Sequence, residues 1–130
     1  MFALDSDTLI YYFKGMGHVA EHLLAVPPNE IALPTVVLYE LEVGLAKSSR
    51  STQLRKALDE LLEIVRVLPF DQAEAKAAAE IRAHLERTGI GIAPLDTMIA
   101  GVARAHGATL VTHNTQEFSR IQHLPIVDWY

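Results

Sequence analysis

Cysteine is absent from the 130-residue sequence, which excludes disulfide bonds and thiolate metal sites. The absence fits a reducing compartment. Residues 1–5 also lack the basic region and the long apolar stretch of a signal peptide. No run in the sequence approaches the roughly 18 consecutive apolar residues that can span a bilayer. We therefore expect a cytoplasmic protein with no membrane association.

Positive charge is scarce as well. The chain has 11 lysines and arginines against 16 aspartates and glutamates, and its formal net charge is −5. This balance argues against a general nucleic-acid binder, because such proteins are usually basic. It leaves open an enzyme that meets a polyanion at one metal-neutralised point. One basic cluster is typical of a solvated helix face, with a phosphate-guiding or partner-binding patch as the alternative. It comprises Lys47, Arg50, Arg55 and Lys56.

Hydrophobic residues, by contrast, make up half of the chain. That is enough for one domain over residues 1–130 to bury a core without a disulfide or a structural metal. Strand-like apolar runs alternate with amphipathic helical patterns. Strands separated by helices favour an α/β fold with a parallel sheet covered on both faces. We predict strands over 1–5, 30–33, 65–68, 109–112 and 126–127, and helices over 7–25 with a break near Gly15, 34–45, 52–64, 71–88 and 96–106.

Acidic residues recur where the predicted strands end or the helices begin. Asp5 follows the first strand, and Thr112 to Asn114 follow the fourth. Glu40 and Asp96 lie on helices that can line the same edge. Ligands of parallel sheets bind beyond the carboxyl ends of the strands. Hard oxygen ligands suit Mg²⁺ or Mn²⁺, and divalent metals held by carboxylates commonly act on phosphate esters.

Each of these residues also has a purely structural interpretation. Asp5 and Asp96 could be helix caps, Asn114 could form an Asx turn, and Glu117 could be an ordinary surface residue. Glu40 is harder to explain in this way. A carboxylate among apolar neighbours costs several kcal/mol unless it is paired or bound to a metal.

Other polar and aromatic residues give weaker signals. His18 and His22 are four residues apart, but no third zinc ligand is evident, and two partly exposed side chains are the simpler interpretation. His113 is a candidate proton donor in a loop at the edge of the site. The aromatic run at residues 11–13 is predicted to pack in the core and at a dimer face rather than to stack bases.

Five short motifs occur in the order and spacing of a known family. They are Leu4-Asp5-Ser6-Asp7, Glu40-Leu41-x-x-Gly44, Gly89-x-Gly91-Ile92-x-Pro94-x-Asp96-x-x-Ile99-Ala100-Gly101, Leu110-Val111-Thr112-x-Asn114-x-x-Glu117-Phe118 and Leu124-x-x-Val127-Asp128-Trp129. Together they resemble the PIN-domain ribonucleases, specifically the VapC toxins of bacterial toxin–antitoxin pairs. The resemblance covers essentially the whole chain.

The resemblance implies a PIN-like three-layer α/β/α domain with a mostly parallel central sheet, forming a homodimer. It implies endonucleolytic cleavage of tRNA or rRNA with Mg²⁺ or Mn²⁺, leaving a 5′-phosphate and a 3′-hydroxyl. The implied partner is a VapB antitoxin, and the complex of the two is expected to bind operator DNA. The apolar helices before Pro27 and around residues 54–62 are candidates for the groove that holds VapB, with plain core as the alternative.

The family's site residues can be assigned by position. Asp5 and Asp96 match its two principal metal-binding aspartates, and Glu40 matches its second acidic residue. Asn114 stands where the wider family often has Asp, although Asn followed by Glu117 also occurs in VapC relatives. Since Asn offers only a neutral oxygen, the resemblance leaves open whether a second metal is firmly held.

Three further residues are candidates for a supporting role: Asp7, Thr112 and Glu117. Ser6-Asp7 replaces the commoner Thr-Asn pair, so Asp7 adds a charge that either assists metal binding or caps the helix. Thr112, Asn114 or Glu117 could orient the attacking water.

Two rival functions stay open. Asp5-Ser6-Asp7 also resembles the opening of haloacid-dehalogenase-type phosphatases, but these need a later lysine and a further acidic pair, and the last lysine here is Lys76. A non-catalytic PIN-like binding module would share every packing feature, yet it would not need Asp5, Glu40 and Asp96 together.

Overall fold

The computed structural model describes residues 1–49 and 51–130, so Arg50 of the predicted basic cluster lies outside the described residues. The strands are β1 (Phe2–Leu4), β2 (Ile31–Pro34), β3 (Arg66–Leu68), β4 (Thr109–Val111) and β5 (Ile126–Val127). The helices are α1 (Ser6–Lys14), α2 (Val19–Leu24), α3 (Thr35–Lys47), α4 (Ser51–Ile64), α5 (Gln72–Thr88), α6 (Pro94–Ala105) and α7 (Thr115–Phe118), and a 3₁₀ turn covers Pro28–Glu30.

The strands form one sheet in the order β3-β2-β1-β4-β5, and every neighbouring pair is parallel. The predicted α/β class is confirmed, and the sheet is parallel throughout rather than mostly so. The chain builds outward from β1 to β3 and then returns to the other side of β1 with β4. The strand order therefore reverses between β1 and β4, where the crevice beyond the carboxyl ends of the strands is the usual ligand site.

Helix ends follow their capping residues. The predicted break in the first helical stretch occurs at Gly15, which ends α1 with a left-handed φ of 66°. Asp71 and Glu74 form the predicted capping box at the start of α5. Gly89 ends that helix at φ 74°. These local signals predicted the helix ends because each one satisfies backbone groups that the helix leaves unpaired.

Two predicted helix starts are wrong. Pro34 keeps an extended backbone, with a ψ of 138°, and pairs with Leu68 as the last residue of β2, so it precedes α3 rather than opening it. The sixth helix begins at Pro94, not at Asp96, so Asp96 is its third residue and not its cap. Proline fits the first turn of a helix because it has no N–H to leave unpaired.

The core lies between the sheet and the helices on its two faces. Its fully buried members come from the central strands and from the helices that cross them, and include Leu4, Leu9, Leu33, Val37, Ile99, Leu110, Val111 and Phe118. No helix in the described part of the chain is both long and apolar enough to cross a membrane.

Helices α5 and α6 pack closely through two small residues. A Cβ atom added to Gly101 would lie 2.6 Å from Cβ of Ala78 and 2.7 Å from its backbone nitrogen. Only glycine permits this approach, because such distances lie far inside van der Waals contact.

Arg55, in the predicted basic cluster, is engaged in an ion pair. Its guanidinium binds both carboxylate oxygens of Glu42, at 2.7 and 2.6 Å, and lies 3.8 Å from Asp59. This bidentate pair joins α3 to α4, while Lys47 and Lys56 are exposed. The predicted solvated helix face therefore fits the two lysines better than Arg55.

Candidate functional site

Asp5 joins β1 to α1 and faces the end of β4. Its backbone N–H donates to the carbonyl of Val111 at 2.9 Å. Its Oδ1 accepts the backbone N–H of Ser6 at 2.8 Å, so the helix-cap interpretation is confirmed. The cap uses only one carboxylate oxygen. An ionised carboxylate has about four lone-pair positions, which leaves Asp5 free to act on a ligand as well.

Thr112 holds the second oxygen of Asp5. The fully buried Thr112 hydroxyl donates to Oδ2 of Asp5 at 2.8 Å and accepts the backbone N–H of Asn114 at 3.0 Å. The side-chain amide of Asn114 in turn donates to Oε2 of Glu117 at 3.1 Å. A continuous chain of hydrogen bonds thus connects four of the predicted site residues at the switch point, the place between β1 and β4 where the strand order reverses. These residues are Asp5, Thr112, Asn114 and Glu117.

Burial perturbs the Asp5 carboxyl strongly. Only 4% of the residue is exposed, and this burial is the main cause that raises its pKa to about 7. The charge of Asp7 raises it further, as does that of Asp96 to a smaller extent, while the hydrogen bonds from Thr112 and Ser6 lower it. A carboxyl in this state is destabilised as an anion unless a cation approaches.

Asp96 belongs to the same group of charges. It lies half-buried in the first turn of α6. Burial raises its pKa to about 6, and the charges of Glu40, Glu117 and Asp7 add to the shift in that order. The electrostatic neighbours of Asp96 are therefore other predicted site residues.

Glu40 completes the group from α3. Burial raises the pKa of its carboxyl, a hydrogen bond from the Ser6 hydroxyl lowers it, and the charge of Asp7 raises it. Its Oε1 atom is buried and has no hydrogen-bond partner among the described residues. An unpaired buried carboxylate oxygen is rare and calls for a ligand or a water.

The pKa values of Asp5, Glu40 and Asp96 are therefore raised in part by the charges of neighbouring acids, and no described lysine or arginine contributes to these shifts. Within residues 1–49 and 51–130, no three acidic or histidine side chains are arranged so that together they could hold a metal ion. The side chains of this group nevertheless fit a hard divalent cation, because they offer only oxygen ligands. One of these oxygens, Oε1 of Glu40, is buried without a hydrogen-bond partner among the described residues.

Ser6, predicted at most to cap a helix, and Thr8 were not predicted to contact the site. The Ser6 hydroxyl reaches Glu40 on another helix, and the buried Thr8 hydroxyl donates to the carbonyl of Val111 at 3.0 Å. Both residues follow Asp5 closely in the chain, and this proximity was the only sign in the sequence that they belong to the site. Their partners lie far away in the sequence, so the contacts themselves could not be read from it.

The histidines lie outside this acidic group. His18 and His22 are both exposed; His18 contacts Glu21, and the ring of His22 stacks on Trp129. His113, the candidate proton donor, instead places its Nδ1 2.9 Å from Oδ2 of Asp128.

Comparison with known proteins gives a consistent result. The PIN domain family model matches residues 2–124. The tRNA(fMet)-specific endonuclease VapC of Shigella flexneri is 33% identical over 128 residues, which cover 98% of this chain and 97% of that protein. Ribonuclease VapC2 of Rickettsia felis is 31% identical over 137 residues, covering 99% of this chain and 98% of that protein.

Solved structures agree on the fold. A chain in the crystal structure of VapBC2 from Rickettsia felis, bound to a DNA fragment from its promoter, matches with a TM-score of 0.91 and 32% identity, covering 99% of this chain and 98% of that one. DNA-bound VapBC from Salmonella typhimurium matches equally well, with a TM-score of 0.91, 32% identity and the same coverage. The sheet, the family model and these relatives together confirm the resemblance seen in the five motifs. The chain belongs to the PIN domain family and, within it, to the VapC ribonucleases of VapBC toxin–antitoxin systems.

Proposed function

We propose that this chain is a Mg²⁺- or Mn²⁺-dependent, site-specific endoribonuclease that acts in the cytoplasm as the toxin of a type II toxin–antitoxin pair. The observation that carries the proposal is the set of mutually repelling, partly buried carboxylates at the switch point of the sheet, which has no compensating basic side chain among the described residues. Such a set is costly in a folded protein unless it serves a cation.

Asp5, Glu40 and Asp96 would hold the cation. A divalent ion bound there supplies Lewis-acid activation of the phosphate and of water. The hydrogen bonds from Thr112 and Ser6 fix the Asp5 carboxylate in one orientation while leaving lone pairs free. Asp5 and Asp96 must be deprotonated to act as ligands.

Asn114 and Glu117 would orient the attacking water. Their mutual hydrogen bond of 3.1 Å leaves the amide oxygen of Asn114 and the second carboxylate oxygen of Glu117 available to it. In-line attack on the phosphodiester would leave a 5′-phosphate and a 3′-hydroxyl. Asp7 adds negative charge beside the ligands, since its charge raises the pKa of Asp5, Glu40 and Asp96, and it is a candidate outer ligand.

The relatives support RNA as the substrate class. The Shigella flexneri protein is a tRNA(fMet)-specific endonuclease, so tRNA(fMet) is the first RNA to test, with other tRNA and rRNA next. Recognition would rely on RNA shape and on unpaired bases, because single-stranded RNA exposes its base edges.

The partner is proposed to be a VapB antitoxin. An open groove of about 290 Å³ is lined mainly by apolar side chains from α1, α3 and α4: Ile10, Phe13, Leu41, Leu54 and Ala57. Of the predicted surface around residues 54–62, Leu54 and Ala57 line the groove, whereas Leu58 and Leu61 are buried in the core. The groove suits an amphipathic segment. A basic antitoxin side chain inserted among the carboxylates would block the site. We further propose a homodimer whose complex with antitoxin binds operator DNA, as the Rickettsia felis and Salmonella typhimurium complexes bind DNA.

The direct test is cleavage of total cellular RNA with and without Mg²⁺ or Mn²⁺, followed by sequencing of new 5′ ends. Asp96→Asn should abolish cleavage without unfolding the protein, because it removes a ligand charge from a half-buried position. Asp59→Asn, on the exposed face of α4, is the matched control and should cut like the parent. Parental cleavage by Asp96→Asn would refute the metal assignment.

A non-catalytic binding module is the alternative. It would give no cleavage by folded protein supplied with Mg²⁺ or Mn²⁺, and Mn²⁺ titration by calorimetry would then show weak binding or none. Release of phosphate from a generic monoester would instead support a phosphatase.

A further inference from the structure

An aromatic cluster contains residues that neighbour the site residues in the chain, and it has no role in the chemistry described above. The rings of His113 and Tyr130 stack with centroids 4.4 Å apart and planes at 26°. Tyr11 meets both of them edge-on, at 5.5 Å from His113 and 4.8 Å from Tyr130. Edge-to-face and offset-stacked contacts of this kind orient rings relative to one another.

The stacked pair is held in place by Asp128. Its Oδ2 lies 2.9 Å from Nδ1 of His113, and its Oδ1 accepts the backbone N–H of Tyr130 at 2.9 Å. The neighbouring Trp129 is only 4% exposed and packs against Phe2. One carboxylate and one buried anchor therefore fix both rings before any ligand arrives, which lowers the entropic cost of binding.

The fixed rings are nevertheless open to solvent. The side chain of His113 is 42% exposed and Tyr130 is 41% exposed. Stacked rings that stay partly exposed leave aromatic surface that a ligand can cover.

The position of the cluster connects it to the site. His113 directly follows Thr112, whose hydroxyl holds Asp5, and precedes Asn114. Tyr11 is four residues after Asp7 on α1, so the two side chains share one face of that helix. The cluster is thus tied to the acidic group through two elements, the end of β4 and one face of α1.

We propose that the stacked His113–Tyr130 pair is a substrate-positioning subsite that holds one unpaired nucleobase of the RNA beside the carboxylates. The inference rests on the proposed ribonuclease function and deepens it. A chain of net charge −5 gains little from general attraction to phosphates, so it needs a contact that does not depend on charge. Stacking supplies this, because every base has a π face.

Three variants test the subsite: Tyr130→Leu keeps apolar bulk without a π face, Tyr130→Phe keeps the ring, and His113→Ala removes the second ring. Binding is measured by fluorescence anisotropy with a fluorescein-labelled single-stranded RNA of mixed sequence, in an Asp96→Asn background that prevents cleavage. Inorganic polyphosphate, which has phosphates but no bases, is the competing control ligand. Thermal melts establish that each variant is folded.

Tyr130→Leu and His113→Ala should weaken RNA binding about 10- to 100-fold, and Tyr130→Phe by no more than about twofold. Polyphosphate affinity should stay constant in all three. In the cleavage-competent protein, Tyr130→Leu should raise KM with little change in kcat, since stacking is retained from the bound state to the transition state.

Parental RNA affinity in Tyr130→Leu, or an equal loss for RNA and polyphosphate, would overturn the subsite. If the parent cleaves RNA and Tyr130→Leu has the same KM, only the subsite fails. If the parent cleaves no RNA, the ribonuclease proposal fails and the subsite fails with it.

Discussion

Replacing Asp5 by asparagine is expected to change how the stability of the metal-free protein depends on pH. Asparagine keeps an oxygen to accept the Ser6 N–H, and its amide can donate to the Thr112 hydroxyl, so the local hydrogen bonds have substitutes. What the variant loses is the ionisable group. Any change in hydrogen-bond quality adds an offset that does not vary with pH.

The magnitude follows from the raised pKa. Unfolded, the carboxyl has its ordinary pKa of 3.8; folded, burial and the nearby acids raise this to about 7. Between these pH values the folded state keeps a proton that the unfolded state has released, so stability falls as pH rises. At about 1.4 kcal/mol per pKa unit, the loss by pH 8 is on the order of 4 kcal/mol.

The assay is urea unfolding in EDTA at several pH values from 4 to 8, on the parent and on Asp5→Asn. Relative to the parent, the free energy of unfolding of the variant should increase by up to about 4 kcal/mol from pH 4 to pH 8. Asp71→Asn is the matched control, because Asp71 also caps a helix but is exposed; its difference from the parent should change much less. Adding Mn²⁺ at pH 8 should stabilise the parent more than Asp5→Asn.

A constant difference between Asp5→Asn and the parent from pH 4 to pH 8 would refute the reasoning. It would mean that Asp5 ionises as easily in the folded protein as in the unfolded chain. The site would then lack the electrostatic cost on which the cation proposal rests.

Two further predictions concern packing and hydrogen bonding. Thr112→Val should destabilise the protein by about 2 kcal/mol or more, because the Asp5 carboxylate and the Asn114 N–H each lose a hydrogen-bond partner. Thr112→Ser keeps the hydroxyl and should recover most of this stability. Urea unfolding measures both variants, and equal stability of the two would contradict the prediction. Gly101→Ala should cost about 1–3 kcal/mol because its methyl would overlap Ala78. Gly44→Ala, with no atom within 4 Å of the new methyl, should be neutral or stabilising by up to about 1 kcal/mol; a similar change in thermal midpoint for both alanines would refute the packing argument.

Local signals predicted most of the elements. The capping box at Asp71 and the left-handed glycines at positions 15 and 89 act within a few residues of themselves, so the sequence displays them directly. The start of α6 was misplaced because Asp96 has the chemistry of a cap, whereas Pro94 has the better backbone geometry for the first turn. Both residues fit the start of a helix, and composition alone could not rank them.

Contacts between distant residues were beyond the reach of sequence patterns. That acids would collect at one sheet edge followed from the alternation of strands and helices. Which hydroxyl would hold which carboxylate depended on the strand order, since Thr112 meets Asp5 only because β4 lies directly beside β1. The stacking of Tyr130 on His113 is equally nonlocal, because it requires β5 to pair with β4.

Asp5 shows why stability and activity should depend on the same ion. The residue closes the junction of β1, α1 and β4 through three hydrogen bonds, so its carboxylate cannot turn away from its acidic neighbours. Folding without a cation therefore forces a charge into a buried, negative environment and lowers stability at neutral pH. A bound divalent ion would restore that free energy, because a ligand that binds only the folded state stabilises it. A basic antitoxin side chain reaching the same carboxylates would do the same, so cation and antitoxin should compete for this site.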